Sequence, residues 1–266
     1  REQQLEQLSP FELKDNLIAL ASDQQKKPVK AMLNAGRGNP NWTATIPREA
    51  FFSLGQFGVE ESKRPMNKPS GLSGIPQKAG IAKRFEEYLD KNNKQPGVEL
   101  LKGLYNYGIK KHGFDPDAWV FELSEGIVGD QYPSPVRMLR HTEVIVHDYL
   151  IQEMCGNNPI RNGKYDLFAV EGGTAAMCYV FDSLIENCLL KKGDRIALGV
   201  PVFTPYLEIP ELARYGFKVT YINGIAKDKD GNSTFQYPEE ELDKLGDKSI
   251  KAFFIINPTN PTSVEM

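Results

Sequence analysis

Apolar residues recur along this chain first with a helical period and later in short runs that alternate with helices. "LSPFELKDNLIALASDQ" opens the series. Ser9 fits an N-cap, Pro10 the first helical position and Glu12 a capping box, while Leu13, Leu17 and Leu20 form an apolar stripe. "PREAFFSLGQFGVEESK" predicts a second helix. Residues 65–75, "PMNKPSGLSGI", are rich in Pro, Gly and Ser and predict a loop. Three helical stretches follow: "PQKAGIAKRFEEYLDKNN", "PGVELLKGLYNYGIKKHG" and "DPDAWVFELSEGIVG". Each opens at or near a proline, and Gly113 is a stop signal for the second.

After "DQYPSP" a long helix is predicted through "VRMLRHTEVIVHDYLIQEMCG". Strands are then expected at "YDLFAV", "DRIALGV", "FKVTYIN" and "KAFFIIN", with Phe253–Ile256 read as a buried run. Between them lie helices at "GGTAAMCYVFDSLIENCLL", "TPYLEIPELARYG" and "PEEELDKLG". Strands alternating with helices imply parallel crossovers and an α/β sheet.

Composition narrows the function classes. The 266 residues are 40% hydrophobic with a net charge of −3, enough for a sizeable core. That charge offers no electrostatic attraction to nucleic acid or an anionic membrane. No run approaches the roughly 20 apolar residues of a membrane span. Cys155, Cys178 and Cys188 show neither metal-ligand nor disulfide spacing, which fits a reducing cytoplasm and no metal site. His112, His141 and His147 are read as solvated or core-satisfied, and Arg64 as solvated surface.

Three segments carry candidate chemistry. In "FAVEGGTAAM" a predicted strand gives way to two glycines and a threonine that open a helix. Unpaired amides, partial positive charge and the Thr174 hydroxyl make an anion site there, suited to phosphate. It is neither GxGxxG nor a Walker loop, and a tight turn capped by Thr174 is the competing reading. In "GVPVFTPYLEI", Phe203 stands just past a strand and Tyr206 follows one turn later. An aromatic at a strand tip can lie flat on a planar ligand, with core packing of both rings as the alternative. In "NPTNPT", asparagine amides at a strand end can donate to a ligand oxygen, and the prolines fix the loop.

In this order the three segments resemble the fold-type I pyridoxal-phosphate enzymes of the aminotransferase superfamily. The resemblance implies a phosphate loop at Gly173, Thr174 and Ala175, ring stacking by Phe203 and a bond from Asn260 to the phenolic oxygen of pyridoxal 5'-phosphate. Ser263 stands where the family motif ends in glycine. "DQYPSPVRMLRHTEVIVHDYL" resembles the segment whose tyrosine, here Tyr132, reaches the cofactor phosphate in a partner subunit. "LNAGRGNPNW" resembles the segment that passes over the substrate, placing Arg37 and Gly38 as substrate-binding residues. With the helical insertion and the wording "EGGTAAM" and "NPTNPTS", the chain is similar to the bacterial aspartate 4-decarboxylases, also called aspartate beta-decarboxylases.

From the resemblance follow several expectations. Residues 1–64 would be an N-terminal arm and small-domain segment, 65–130 a helical insertion, and 131–266 the first part of a large cofactor-binding domain with a mostly parallel sheet. The Schiff-base lysine, the acidic partner of the pyridine nitrogen and a carboxylate-binding arginine would lie beyond Asn260, outside this chain. The 266 residues are then an N-terminal part, expected to be inactive alone. The whole would be a cytoplasmic lyase converting aspartate to alanine and CO2, with transamination as a side activity, working as a homodimer with possible higher assembly. The alternatives are an aminotransferase using a 2-oxo acid acceptor, and a phosphate- or nucleotide-binding module without covalent chemistry.

Overall fold

The computed structural model describes residues 8, 10–24, 44–133, 136–158, 165–232 and 234–265. Ser9 and the segment carrying Arg37 and Gly38 lie outside the described residues. The chain divides into two units, one formed by Arg37–Ala169 and the other by Arg1–Gly36 with Val170–Met266.

The first unit is helical. It contains α2 (Thr45–Lys63), α3 (Ile81–Lys91), α4 (Val98–His112), α5 (Pro116–Val128) and α6 (Arg140–Cys155). Helix α2 buries Ala50, Leu54, Phe57 and Glu61, residues three or four apart and hence on one face. That face shares a core with Phe85 and Tyr88 of α3, Leu101 and Tyr105 of α4, and Trp119 and Val120 of α5. Gly58 lets α2 and α5 approach, since a Cβ there would meet Ile127 Cγ2 at 2.9 Å. Helix ends follow their local signals. Gly113 and Gly129 close α4 and α5 with φ of 66° and 76°, a region glycine enters without a steric cost. Asp115 caps α5 by accepting the Ala118 N–H at 2.8 Å. Residues 65–75 form no helix, with one antiparallel bridge between Asn67 and Ser73.

Arg64 is not simply solvated. It donates to the Glu61 carboxylate at 2.8 Å, and Arg84 reaches the same group at 2.7 Å. Burial alone would raise the Glu61 carboxyl, but hydrogen bonds from Arg84 and then Arg64 hold it below its ordinary range.

In the second unit α1 (Pro10–Gln24) leaves Leu17 and Leu20 of the expected stripe exposed. Helix α7 (Gly173–Glu186) then leads into β1 (Arg195–Val200), α8 (Pro205–Glu208), β2 (Lys218–Asn223), α9 (Glu239–Leu242) and β3 (Ile250–Phe254). The three strands form a parallel sheet in the order β2-β1-β3. The chain is therefore α/β, as its pattern predicts. Met177 and Phe181 of α7 cover one face of the sheet, packing with Ile196, Ile209, Tyr215 and Phe217.

Three expectations change. Residues 165–170 are not part of the sheet: a strand exists through a partner's hydrogen bonds, and none of the three strands pairs with this stretch. The helix expected at 204–216 stops after Glu208 and tightens to a 3-10 turn at Ile209–Glu211, because Pro210 has no N–H to continue the ladder. The run Phe253–Ile256 is not buried. β3 pairs on one side only among the described residues, and Ile255 beyond it is 45% exposed.

Candidate functional site

Strands β1 and β3 are neighbours and run in one direction, with Leu198 opposite Phe254. Their following loops therefore leave the sheet at the same end. In open parallel sheets this carboxyl end is where ligands bind. The β1 loop carries Phe203, half-buried, and the β3 loop carries Asn260, exposed.

Phe203 accepts the Tyr206 N–H on its carbonyl at 3.0 Å, which starts α8. The two rings meet edge to face with centroids 6.4 Å apart. Tyr206 packs against the core beneath the sheet, and Phe203 is not among the side chains of that cluster. Nearby, Oε1 of Glu208 is shielded from solvent and has no hydrogen-bond partner.

The Asn260 loop is held by a residue the motif reading passes over. Thr259 is buried, and its hydroxyl bonds the Thr262 hydroxyl and accepts the Val264 N–H at 3.0 Å. Its backbone N–H donates to the Val264 carbonyl at 2.9 Å. This ring of bonds fixes the backbone on either side of Asn260 while leaving the carboxamide outside. Ser263, where the family pattern has glycine, sits at φ 55°. A left-handed backbone explains why glycine is favoured there.

Gly172 precedes α7 with φ 100° and ψ 175°, and no side chain caps the helix. The amides of the first turn lack intrahelical acceptors by the geometry of any helix start. A Cβ at Gly172 or Gly173 would meet nothing within 4 Å, and Thr174 is exposed. Glu171 beside this turn directs a carboxylate oxygen to the Tyr179 hydroxyl at 3.2 Å. An uncapped N-terminus of 14 residues with open space before it fits a phosphate dianion. Helix α7 crosses the sheet in contact with α8, beyond the end of β1, and with Phe254 at the end of β3.

One more group lies against the sheet. A Cβ at Gly199 would overlap the Tyr237 hydroxyl, so only glycine in β1 lets this ring settle there. Burial raises the Tyr237 phenol. Tyr237 lies in no motif, and Thr259 lies inside NPTNPT with no role read for it there. The one sequence signal is a glycine inside a strand, which marks close approach.

Tyr132 belongs to the helical unit, in the loop between α5 and α6, and is 92% exposed. Two residues earlier, both Asp130 carboxylate oxygens are shielded without a partner, and burial pushes that carboxyl up. Each of the three histidines lies against a neighbouring side chain. His112 Nε2 and Asp148 are 2.8 Å apart, His141 Nδ1 and Glu122 2.7 Å, and the His147 ring lies 4.5 Å from that of Tyr165. All three cysteines are free. No helix among the described residues is long and apolar enough to cross a membrane.

The fold and these loops define an α/β protein whose candidate ligand groups follow parallel strands or open a helix on their face. No family profile matches the chain. It is 48% identical over 263 residues to the bifunctional aspartate aminotransferase and L-aspartate beta-decarboxylase of a Pseudomonas species. That match covers 98% of this chain and 48% of the relative, so the chain spans about half the length of the curated relative. This likeness agrees with the resemblance read from the residue pattern.

Proposed function

We propose that these residues form part of a pyridoxal-phosphate enzyme of fold type I. It removes the β-carboxylate of L-aspartate to give L-alanine and CO2, with aspartate transamination as a side activity. The observation that carries this reading is the adjacency of β1 and β3, whose loops bear Phe203 and Asn260 at one end of the sheet. The name of the Pseudomonas relative supports both activities. Aspartate transamination as the main reaction is the second reading, because that name contains it too.

The residues would divide the work as follows. The Gly173 and Ala175 amides with the Thr174 hydroxyl hold the phosphate dianion, whose charge the helix start favours. Phe203 lies on the ring and limits its tilt. Asn260 donates to the phenolic oxygen and favours its anionic form. Tyr132 reaches the phosphate in a second copy, and Arg37 beside Gly38 orients a substrate carboxylate with its planar fork. When bound, pyridoxal phosphate supplies an electron sink for the pair released as a bond to the substrate breaks. Residues 131–266 serve as the first part of the cofactor domain, 65–130 as a helical insertion and 1–64 as the arm and small-domain segment. The three free thiols fit a cytoplasmic setting for this homodimer.

The test uses the full-length gene product supplied with pyridoxal phosphate and aspartate. Alanine and CO2 in equal amounts without any 2-oxo acid are expected. Strict dependence on a 2-oxo acid would establish the aminotransferase reading instead. A product with no borohydride-trappable cofactor would leave a phosphate-binding module. Thr174→Ala and Asn260→Ala should each weaken cofactor affinity.

A further inference from the structure

Helix α6 begins at Arg140 without help from its own N-cap, since Leu139 has no side-chain acceptor. Its first-turn amides are met from another helix. Oε1 of Glu122, in α5, accepts the His141 N–H at 2.9 Å and lies 3.4 Å from the Thr142 N–H. Oε2 of the same group is 2.7 Å from His141 Nδ1. A carboxylate at a helix start meets both the orphan amides and the positive end of the dipole. The device recurs at α3, where Asp117 of α5 accepts the Gly80 and Ala82 amides at 2.8 and 2.9 Å.

At α6 the cap closes a loop. The chain leaves α5 at Gly129 and comes back to that same helix at Leu139, which lies over Gly126: a Cβ there would meet Leu139 Cδ1 at 2.8 Å. Arg137 adds a 2.7 Å bond to Glu143 in the first turn of α6. Both ends of the stretch holding Tyr132 are thus pinned to α5, while Tyr132 itself stands in solvent. Closing a loop costs entropy, and when the fold has already paid it, less is lost as the exposed residue engages a ligand.

We propose that Glu122 is a positioning residue for Tyr132, and through it for the cofactor phosphate in a second copy. This rests on the assignment of Tyr132 above. The experiment measures pyridoxal-phosphate affinity of the apo form of the full-length protein in five forms: the parent, Glu122→Ala, Glu122→Gln, Tyr132→Phe and Glu122→Ala with Tyr132→Phe. Expected are about three- to tenfold weaker binding for Glu122→Ala, and no further loss when it is added to Tyr132→Phe. Glu122→Gln keeps an acceptor but no charge, should fold in any case, and is expected to fall between the parent and Glu122→Ala. A lowered melting temperature with parent-like affinity in both Glu122 variants would overturn the proposal, as would an equal loss in the Tyr132→Phe background. Unchanged affinity for Tyr132→Phe would overturn the assignment of Tyr132 itself, and the proposal with it.

Discussion

The ring of Phe181 rests on that of Phe254, centroids 5.0 Å apart with planes inclined by 58°. Phe181 belongs to the helix that opens at the glycine turn, and Phe254 is the last residue of the strand that leads to Asn260. One contact therefore links the bases of two of the candidate ligand segments. Phe181 is 1% exposed and also touches Tyr215 and Phe217.

Phe181→Ala should cost about 3–5 kcal/mol of unfolding free energy, the range for removing a large ring from a packed site. Urea unfolding of the full-length protein measures it. A loss below about 1 kcal/mol would mean that this cluster collapses around the gap, and that α7 is held to the sheet by other groups.

What could be read from the chain and what could not separate along a physical line. Gly113 acts on its own few residues, and the helix end it announces is found there. The same local logic predicts the glycine turn before α7. Pro210 is also a local signal, and the long helix expected across it gave it too little weight. Pairings between distant residues are different. Glu122 meets His141 19 positions away, and His112 meets Asp148 36 positions away. No spacing rule joins them, so their roles emerge only once the helices are docked. The stretch 165–170 fails for a related reason: its apolar run fits a strand, but a strand forms only where a partner edge docks beside it, and no local signal says whether one does. Thr259 escaped notice because its neighbours Asn257 and Asn260 carry the motif, while its own value lies in bonds to Thr262 and Val264.

Acid should release one of these distant pairings. Asp148 in α6 accepts from Lys111 and His112, each at 2.8 Å, and from the Tyr107 hydroxyl at 2.7 Å. The bond from Lys111, followed by that from Tyr107, draws its carboxyl down to about 2 from an ordinary value of 3.8. A carboxyl depressed by folding contributes stability above its unfolded value and loses it as pH falls toward the folded one. This contribution is thus complete above about pH 4 and fades between about pH 4 and pH 2. Asp148→Asn should cost about 1–2 kcal/mol at neutral pH, discounted for partial exposure, and almost nothing near pH 2. Melting curves of parent and variant across that range should converge toward acid. Parallel curves would show that the charge on Asp148 contributes nothing to holding α6.

The backbone at Ser263 offers a gain rather than a loss. Its φ of 55° lies in the left-handed region, where a side chain costs roughly 1–2 kcal/mol. Glycine avoids that cost but gives up about 0.5–1 kcal/mol in the freedom of the unfolded chain. Ser263→Gly should therefore stabilise the protein by up to about 1 kcal/mol, and Ser263→Val, stiff at its β-carbon, should destabilise it. The Ser263 side chain is exposed, and the bond from its N–H to the Thr259 carbonyl, 2.6 Å long, uses backbone alone. Neither change removes a side-chain contact from the Asn260 loop, so the opposite signs isolate the backbone term. Thermal unfolding of the two variants reads that difference directly. If glycine proved as destabilising as valine, the serine side chain rather than the turn would be what holds residues 259–264 in place, and the glycine preference at this position would need another cause.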